Sequence, residues 1–415
     1  MTGSERRSDT EPPEVPLSDE HLACPMATDA WLRANEPVHV TADGIHVVSR
    51  RAEVDAALHD PGTFSNRFGR VIRGRDRLDP QVRAILSRGW PPVDTLFTTD
   101  PPEHRRFRSL VNRAFTARRV SELEPSIATV AEDLVTRCVE RRQVDLVEYL
   151  AVPLPLTVIA DQLGVPREDL PLFKRWSTAV VSELGRHGDQ QEQVRTAEAS
   201  LEFQHYFHTR IEERRTAPRD DILSDLVHAE VDGHPPLDDA ELLMMLQQLL
   251  VAGNETTTNG IASMIALLLD HPEHLAAARE DRRLVPGVVE ETLRLEAPIQ
   301  GMWRLTAHDT EVAGCPVGNG ELLLLRYGSA NRDEHHYDDP ERFDPTRDPV
   351  RDHLAFGAGI HFCVGAALAR AEMRIALETL LDHTSDIRET STTRKYAPHI
   401  LIRGLTALPV ELSPA

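Results

Sequence analysis

Apolar residues recur at helical spacing through most of the chain. From residue 117 to residue 236, nearly every segment combines an apolar face with a charged face, which predicts a series of amphipathic helices. Glycine and proline interrupt the pattern at 164–166 and again at 185–188, and we expect helices to end there. A shorter helix is predicted after Pro101 and Pro102, with Asp100 as its N-cap and Glu103 completing a capping box.

The longest predicted helix runs from residue 238 to residue 270. Asp238 is its expected N-cap, with Glu241 three residues later, and Pro272 follows its end. Because the segment is apolar on nearly all sides, we expect it to be buried. Its middle, residues 253–260, is instead a run of poor helix formers and polar groups, GNETTTNG. A buried helix that departs from its own pattern at one place is a candidate functional site.

Alternating patterns predict a small amount of β-structure. Two short strands are expected at 37–41 and 45–49 around a turn at Asp43 and Gly44, and others at 299–307 and 321–325. The tail from 398 to 410 is predicted to form a hairpin around Arg403 and Gly404. The predicted fold class is therefore mainly α with small β-sheets.

A glycine-rich loop carries the candidate chemistry. Residues 356–365, FGAGIHFCVG, place Cys363 between this loop and a helical stripe that continues to about residue 381. Glycines let a backbone lie flat against a planar ligand. At a helix start, the free N–H groups and the macrodipole are expected to lower the pKa of the thiol, and a thiolate is a good ligand for iron. The alternative is that Cys363 is a buried structural cysteine.

Composition and charge restrict the classes of protein to consider. The chain has 415 residues, a formal net charge of −21 and four widely spaced cysteines. This charge disfavours nucleic acid and anionic membranes as partners, and the cysteine spacing disfavours disulfides or zinc and suits the cytoplasm. The polar first segment, 1–30, is expected to be disordered, and 31–415 to form a single domain.

The loop around Cys363 resembles the haem-binding loop of the cytochrome P-450 family, the haem-thiolate monooxygenases. Further family motifs occur in the family's order: DPPEHxxxR at 100–108, AGxETT at 252–257, ExxR at 291–294 and a PERF segment at 340–343. The resemblance implies the P-450 fold, with haem b between the long central helix and the helix that follows the cysteine.

The same resemblance implies roles for individual residues. Cys363 is the implied iron ligand, and Thr256 and Glu255 are the implied catalytic residues, which handle the two protons that dioxygen activation needs. Gly253 and its neighbours are expected to let the long helix widen, so that a backbone carbonyl opens toward bound oxygen and water. The other implied contacts with the haem, including four propionate partners, are His104, Arg108, Ala252, Gly253, Arg304, Phe356, Gly357, His361 and Gly365.

Further residues are assigned to structure or to substrate. Glu291 and Arg294, joined by Arg342, are expected to form a buried structural network on the haem side. Gln248 lies two turns before Thr256 on the same helix face and binds either substrate or a neighbouring helix. With Gln248, the proposed substrate contacts are Val251, Ile299, Met302 and Ile400.

The implied reaction inserts one atom of O2 into a small organic substrate, by hydroxylation or epoxidation. No flavin or iron-sulfur signature is visible, so electrons are expected from a ferredoxin and its ferredoxin reductase. A basic patch is expected to dock the ferredoxin, and it comprises Arg105, Arg106, Arg113, Arg118, Arg119, Arg370 and Arg374. The alternatives are a peroxygenase that uses H2O2 and a haem sensor or carrier without turnover. The substrate class that the resemblance implies is a secondary metabolite or another medium-sized apolar compound.

Overall fold

A computed structural model describes residues 12, 14–69, 71, 79–184, 189–230, 235–348, 352–391 and 393–415. The helices in this part of the chain are α1 (Asp19–Ala23), α2 (Met26–Asn35), α3 (Arg51–His59), α4 (Pro80–Leu86), α5 (Glu103–Ala114), α6 (Ala117–Arg141), α7 (Pro153–Gln162), α8 (Leu170–Leu184), α9 (Gln190–Thr216), α10 (Ile222–Val227), α11 (Asp239–Asp270), α12 (Pro272–Glu280), α13 (Val285–Leu295), α14 (Tyr327–Ala330) and α15 (Ala366–His383). The strands are β1 (Val38–Val40), β2 (His46–Val48), β3 (Phe64–Ser65), β4 (Gln143–Asp145), β5 (Met302–Thr306), β6 (Thr310–Val312), β7 (Cys315–Val317), β8 (Leu322–Leu325), β9 (Thr384–Glu389) and β10 (Pro409–Pro414). The predicted class, mainly α with small sheets, is confirmed.

Helix α11 forms the centre of the molecule. It begins with the predicted capping box, in which Asp238 accepts from the Glu241 backbone N–H and the Glu241 side chain accepts from the Asp238 N–H. Helices α7, α8, α13 and α15 pack around it. Helices α11 and α15 are in close contact at Gly260, because a Cβ there would lie 2.9 Å from the Met373 sulfur on α15. The burial of α11 therefore follows from its apolar composition, as predicted.

Three small sheets lie beside the helices in the part of the chain that the structure describes. The largest has the strand order β1-β2-β8-β5-β3, with β2 and β8 parallel and the other neighbours antiparallel. The predicted first hairpin is present as β1 and β2, and β5 and β8 fall inside the other two predicted strands. The tail differs from the predicted hairpin. It makes only isolated bridges at Ile402 and Leu405 before β10 joins β4 and β9.

The predicted disorder of residues 1–30 is wrong for residues 14–30, whereas residues 1–11 and 13 lie outside the described residues. Leu17 and Leu22 are 2% and 8% exposed, and they pack in an apolar cluster with strand residues. Asp29 accepts hydrogen bonds at 3.0 Å from both His21 and Arg326. Composition suggested disorder, but long-range burial and this buried polar network order the segment.

The start of α5 also differs from the prediction. Pro102 occupies the N-cap position and makes no side-chain cap. Asp100 instead accepts from the Ser65 hydroxyl at 2.5 Å and from the Asn66 N–H at 2.9 Å. The carboxylate therefore ties the helix start to β3, a contact that local sequence does not reveal.

No helix in the described residues is long and apolar enough to cross a membrane.

Candidate active site

The loop of residues 352–365, here called the cysteine loop, holds Cys363 by backbone contacts. Gly359 has φ +65°, and a Cβ there would lie 2.3 Å from the Leu58 carbonyl oxygen, so only glycine fits. The Cys363 N–H donates to the Phe356 carbonyl at 2.9 Å, which closes the loop on itself. Helix α15 begins three residues later, at Ala366. Cys363 therefore precedes the helix instead of lying within its first turn.

The surroundings of the Cys363 sulfur act on its pKa in opposite directions. Burial raises the pKa of the thiol, and this effect outweighs the backbone N–H groups of Gly365 and Ala366 and the charges of Arg108 and Arg370, which lower it. The prediction that the pKa of Cys363 is lowered is therefore wrong when only the groups of the protein act on the thiol. The predicted N–H donors at the helix start are nevertheless aimed at the sulfur.

Four cationic or donor groups converge beside the cysteine loop. The rings of His104 and His361 lie 4.2 Å apart, and the Nε2 atom of each is buried without a hydrogen-bond partner. Arg304 is 2% exposed, and Arg108 donates to the Phe362 carbonyl at 2.7 Å. Burial, followed by the charges of His104, Arg304 and Arg108, lowers the pKa of His361 to about 3.

This polar group fits an anion with several oxygen atoms. Buried polar atoms without partners are rare and costly, and mutually repelling cations are stabilised by negative charge between them. Two carboxylates would supply acceptors for both unpartnered nitrogen atoms and compensate the arginines. The residues present therefore fit the two propionates of a haem whose iron would be bound by Cys363.

An accessible stripe runs along the otherwise buried helix α11. Gln248 and Thr256 are half-buried and Ala252 is exposed, whereas Leu249, Leu250 and Thr257 are buried. Positions 248, 252 and 256 are four residues apart and therefore share one face. This stripe is a part of α11 that the helices packed around it leave accessible. The structure thus aligns three of the predicted site residues.

The expected widening of α11 at Gly253 is not seen, because the helix is regular from Asp239 to Asp270. A Cβ at Gly253 would lie 3.1 Å from the Ile159 side chain, so this glycine permits close packing against α7. The Thr256 hydroxyl donates to the Ala252 carbonyl at 2.7 Å. The hydroxyl thereby donates its proton to a backbone carbonyl of the same helix and still has lone pairs that can accept a hydrogen bond.

Glu255 is joined to helix α8. Its Oε1 accepts from Lys174 Nζ at 2.6 Å and from the Ser177 hydroxyl at 3.2 Å, and Asn254 donates to that hydroxyl at 3.1 Å. The Lys174 side chain is 37% exposed, whereas that of Glu255 is 14% exposed. The network therefore links the residue beside Thr256 to the surface. Lys174 was missed from sequence because no local pattern pairs residues 81 positions apart.

Glu255→Gln is expected to lower kcat by about 10²-fold, because the amide keeps the shape of the side chain but cannot carry a proton, and general acid-base groups contribute about 10²–10⁴-fold. Haem content and KM should change little, and the solvent deuterium isotope effect on kcat should rise. The control is Glu273→Gln, at an exposed carboxylate on α12. Equal kcat values and isotope effects in the two variants would remove Glu255 from the proton path.

The structural network around Glu291 is present, with one correction. Arg294 donates to Glu291 through Nε and Nη2, both at 2.8 Å, and the two side chains are 1% and 0% exposed. The predicted third member, Arg342, is wrong: its side chain is 68% exposed and only its carbonyl accepts from Arg294. Arg347 takes its place, donating to Glu291 at 3.2 Å. The chain turns after Phe343, so a later arginine reaches the carboxylate.

The predicted substrate contacts lie in different surroundings. Ile400 is 3% exposed and Val251 is 8% exposed. Ile400 packs in the apolar cluster that also contains Leu17 and Leu22 of the N-terminal segment. Ile299 and Met302 are half-buried near β5. The packing thus makes Ile400 a core residue, and the substrate role of all four stays a prediction.

Most of the predicted basic patch is neutralised within the chain. Ion pairs join Arg106 to Glu241, Arg118 to Glu122, Arg119 to Asp220, Arg370 to Glu290, and Arg374 to Glu124 and Glu378. Arg105 and Arg113 are exposed. The positive charge that this surface presents to a partner is therefore smaller than the number of its arginines suggests.

Comparison with known proteins agrees with this geometry. Residues 172–394 match the family model described as Cytochrome P450. The chain is 40% identical over 356 residues to erythromycin C-12 hydroxylase of Saccharopolyspora erythraea, covering 85% of each. It is 38% identical over 371 residues to cyclomarin C epoxidase CymV of Salinispora arenicola, covering 88% of this chain and 91% of that protein. The solved structure of cytochrome P450 CYP109Q5 from Chondromyces apiculatus is similar, with a TM-score of 0.84, 39% identity and coverage of 96% and 98%.

Proposed function

Because this chain belongs to the cytochrome P450 family, we propose that it inserts one oxygen atom from O2 into a neutral, medium-sized secondary metabolite. The chain is a haem-thiolate monooxygenase. The two relatives described above are a hydroxylase named for erythromycin and an epoxidase named for cyclomarin C. Both hydroxylation and epoxidation are therefore within the proposed reaction class.

The accessible stripe on α11 is the observation that carries this proposal. It presents an amide at Gln248, a methyl group at Ala252 and a hydroxyl at Thr256 in a row, and none of these carries a charge. The Gln248 amide oxygen is buried without a hydrogen-bond partner. A substrate hydroxyl or N–H group would satisfy it, which favours the substrate role of Gln248 over a bond to a neighbouring helix. Such a surface suits an apolar substrate with at least one hydrogen-bond donor.

The haem supplies the dioxygen chemistry when bound, and the protein supplies the ligand, the orientation and the protons. We infer haem b, held by Cys363 through its sulfur and by His104, Arg108, Arg304 and His361 through their donors. The other residues proposed to border the ring are Ala252, Gly253, Phe356, Gly357 and Gly365.

Proton supply is assigned to Glu255 and Thr256. Glu255 contacts the partly exposed Lys174 and is the residue next to Thr256 on α11. It can therefore exchange protons with solvent and pass them towards the Thr256 hydroxyl. Because the hydroxyl donates its proton to the Ala252 carbonyl, it orients a water by accepting a hydrogen bond.

The proposed electron donor is a ferredoxin with its reductase. The exposed Arg105 and Arg113, on the same helix as the haem-side residues His104 and Arg108, provide positive charge for an acidic partner. The paired arginines of the predicted patch contribute less, because their charges are compensated within the chain.

The test combines binding with isotope labelling. A panel of neutral macrolactones, cyclic peptides and steroids, with carboxylate and ammonium analogues as controls, is screened for shifts of the Soret band. Hits are then incubated with ferredoxin, reductase, NADPH and ¹⁸O₂. We expect neutral ligands to bind and products to carry one ¹⁸O atom, whereas turnover only with H2O2 would assign a peroxygenase.

Two adjacent glutamines give a matched pair for the same assay. Gln248→Leu is expected to weaken binding of hydroxyl-bearing hits by about 1 kcal/mol, the usual net value of a hydrogen bond. Gln247→Leu, one position away and therefore on another face of α11, should leave it unchanged. Equal effects of the two changes would contradict the assigned orientation of the substrate.

A further inference from the structure

Glu290, immediately before the structural Glu291, belongs to a second and separate network. Arg370 donates to it through Nε at 2.6 Å and Nη2 at 2.9 Å, and His353 Nε2 lies 3.1 Å from it. Glu290 is 3% exposed and His353 is 7% exposed. Two neighbouring carboxylates on α13 thus hold two different parts of the chain, and Glu290 holds the cysteine loop and the helix that follows it.

The protonation states in this network follow from its geometry. His353 Nδ1 accepts from the Ala355 N–H at 3.2 Å, so the proton of the ring lies on Nε2 and is donated to Glu290. Burial raises the pKa of Glu290, but the hydrogen bonds from His353 and Arg370 outweigh it and bring the pKa to about 2. These three groups are therefore a carboxylate, a neutral imidazole and a guanidinium.

The guanidinium reaches the cysteine through Phe356. Arg370 lies over the Phe356 ring, 4.5 Å from its centroid, in cation–π geometry. The Phe356 carbonyl is the acceptor for the Cys363 N–H. Arg370 is also among the charges that stabilise the negative form of the Cys363 sulfur. The position of this positive charge is set by Glu290, because a bidentate carboxylate fixes the plane of a guanidinium.

We propose that Glu290, His353 and Arg370 form a charge clamp that sets the electrostatic field at the Cys363 sulfur and, through it, the reduction potential of the haem iron. The inference rests on the proposed role of Cys363 as the iron ligand. Glu290 and Arg370 are positioning residues in this account, since neither touches substrate or reacting oxygen.

The clamp predicts shifts of opposite sign when its two charges are removed. Loss of the Glu290 charge leaves Arg370 uncompensated, which favours the more negative ferrous state and raises the potential. Loss of the Arg370 charge removes a positive charge near the Cys363 sulfur while the Glu290 carboxylate stays in place, which favours the ferric state and lowers the potential. We expect each change to alter the ferric–ferrous equilibrium constant about three- to tenfold, where tenfold corresponds to 59 mV for one electron.

The test is a spectroelectrochemical titration of the purified, haem-loaded enzyme without substrate. The variants are Glu290→Gln, Arg370→Met and the double variant, which should return towards wild type. Arg370→Lys keeps the charge and provides a second reading if Arg370→Met folds poorly, because its potential should remain near wild type. Arg374→Met is the control, since Arg374 lies one turn later on α15 but pairs with Glu124 and Glu378.

Each outcome has a defined meaning. Opposite shifts from Glu290→Gln and Arg370→Met, with less than a twofold change for Arg374→Met, support the clamp. Shifts of the same sign, or shifts equal to that of the control, overturn it and leave a purely structural network. The carbon monoxide adduct of the wild type is recorded first, because a spectrum without thiolate ligation would refute the assigned iron ligand instead of the clamp.

Discussion

Cys363→Ser is expected to abolish monooxygenase activity while leaving the fold intact. A serine hydroxyl does not ionise at neutral pH, so it cannot provide the electron-rich ligand that favours O–O cleavage. Loss of a supporting residue costs a metal site about 10–100-fold, and loss of the ligand itself should cost more. The N–H donors of Gly365 and Ala366 would also lose the charge at which they are aimed.

The measurements are haem content, the spectrum of the reduced carbon monoxide adduct, and product formation with the redox partners. The control is Cys24→Ser, the same substitution at an exposed cysteine, which should behave like wild type. Circular dichroism separates loss of the ligand from loss of the fold. If Cys363→Ser retained the thiolate spectrum and normal turnover, another residue would have to bind the iron.

Glu291→Ala is expected to destabilise the protein by about 3–5 kcal/mol, the usual consequence of leaving a buried charge unpaired. Glu291 is fully buried and accepts from Arg294, Arg347 and the Asp344 N–H. Arg294 also donates to the carbonyls of Asn331 and Pro340, so the network joins α13 to the segments that precede the cysteine loop. Its loss should therefore also reduce haem retention.

Urea denaturation of the haem-loaded protein measures the change, with Glu291→Gln as a milder variant. Glu311→Ala, at an exposed position on β6, is the matched control and should change stability by less than about 0.5 kcal/mol. The corrected arginine adds a comparison, because Arg347→Met should cost more than Arg342→Met, whose side chain is mostly exposed. The reverse order would assign the side chain of Arg342, instead of that of Arg347, to the network.

The sequence was most informative where a function depends on contiguous residues. The cysteine loop, the threonine segment of α11 and the capping box at Asp238 are each readable within about ten positions. Helical and strand periodicity then gave the fold class, because burial of one face imposes the spacing directly. Predicted helix boundaries were wrong where a distant residue bound the expected capping group. Ser65 and Asn66 donate to Asp100, so α5 lacks its predicted N-cap.

Charge was predicted less well than position. Arginines in the sequence suggested an open basic surface, but most of them meet acids from other elements, as Arg374 meets Glu124 of α6. The same long-range pairing produced two features that were not predicted, the contact of Lys174 with Glu255 and the clamp at Glu290. No local sequence pattern marks either of these contacts, because single acidic and basic residues are common on helices.

By itself, the sequence determined the fold class, the candidate iron ligand Cys363 and the row of candidate site residues on the central helix, because each depends on local spacing or on a short motif. Only the tertiary structure decided which charges remain available. It put Arg347 on Glu291, tied Glu255 to Lys174 and folded the polar N-terminal segment onto the sheet. Pairing energies depend on distance in space, and the chain brings together residues whose separation in sequence carries no information about that distance.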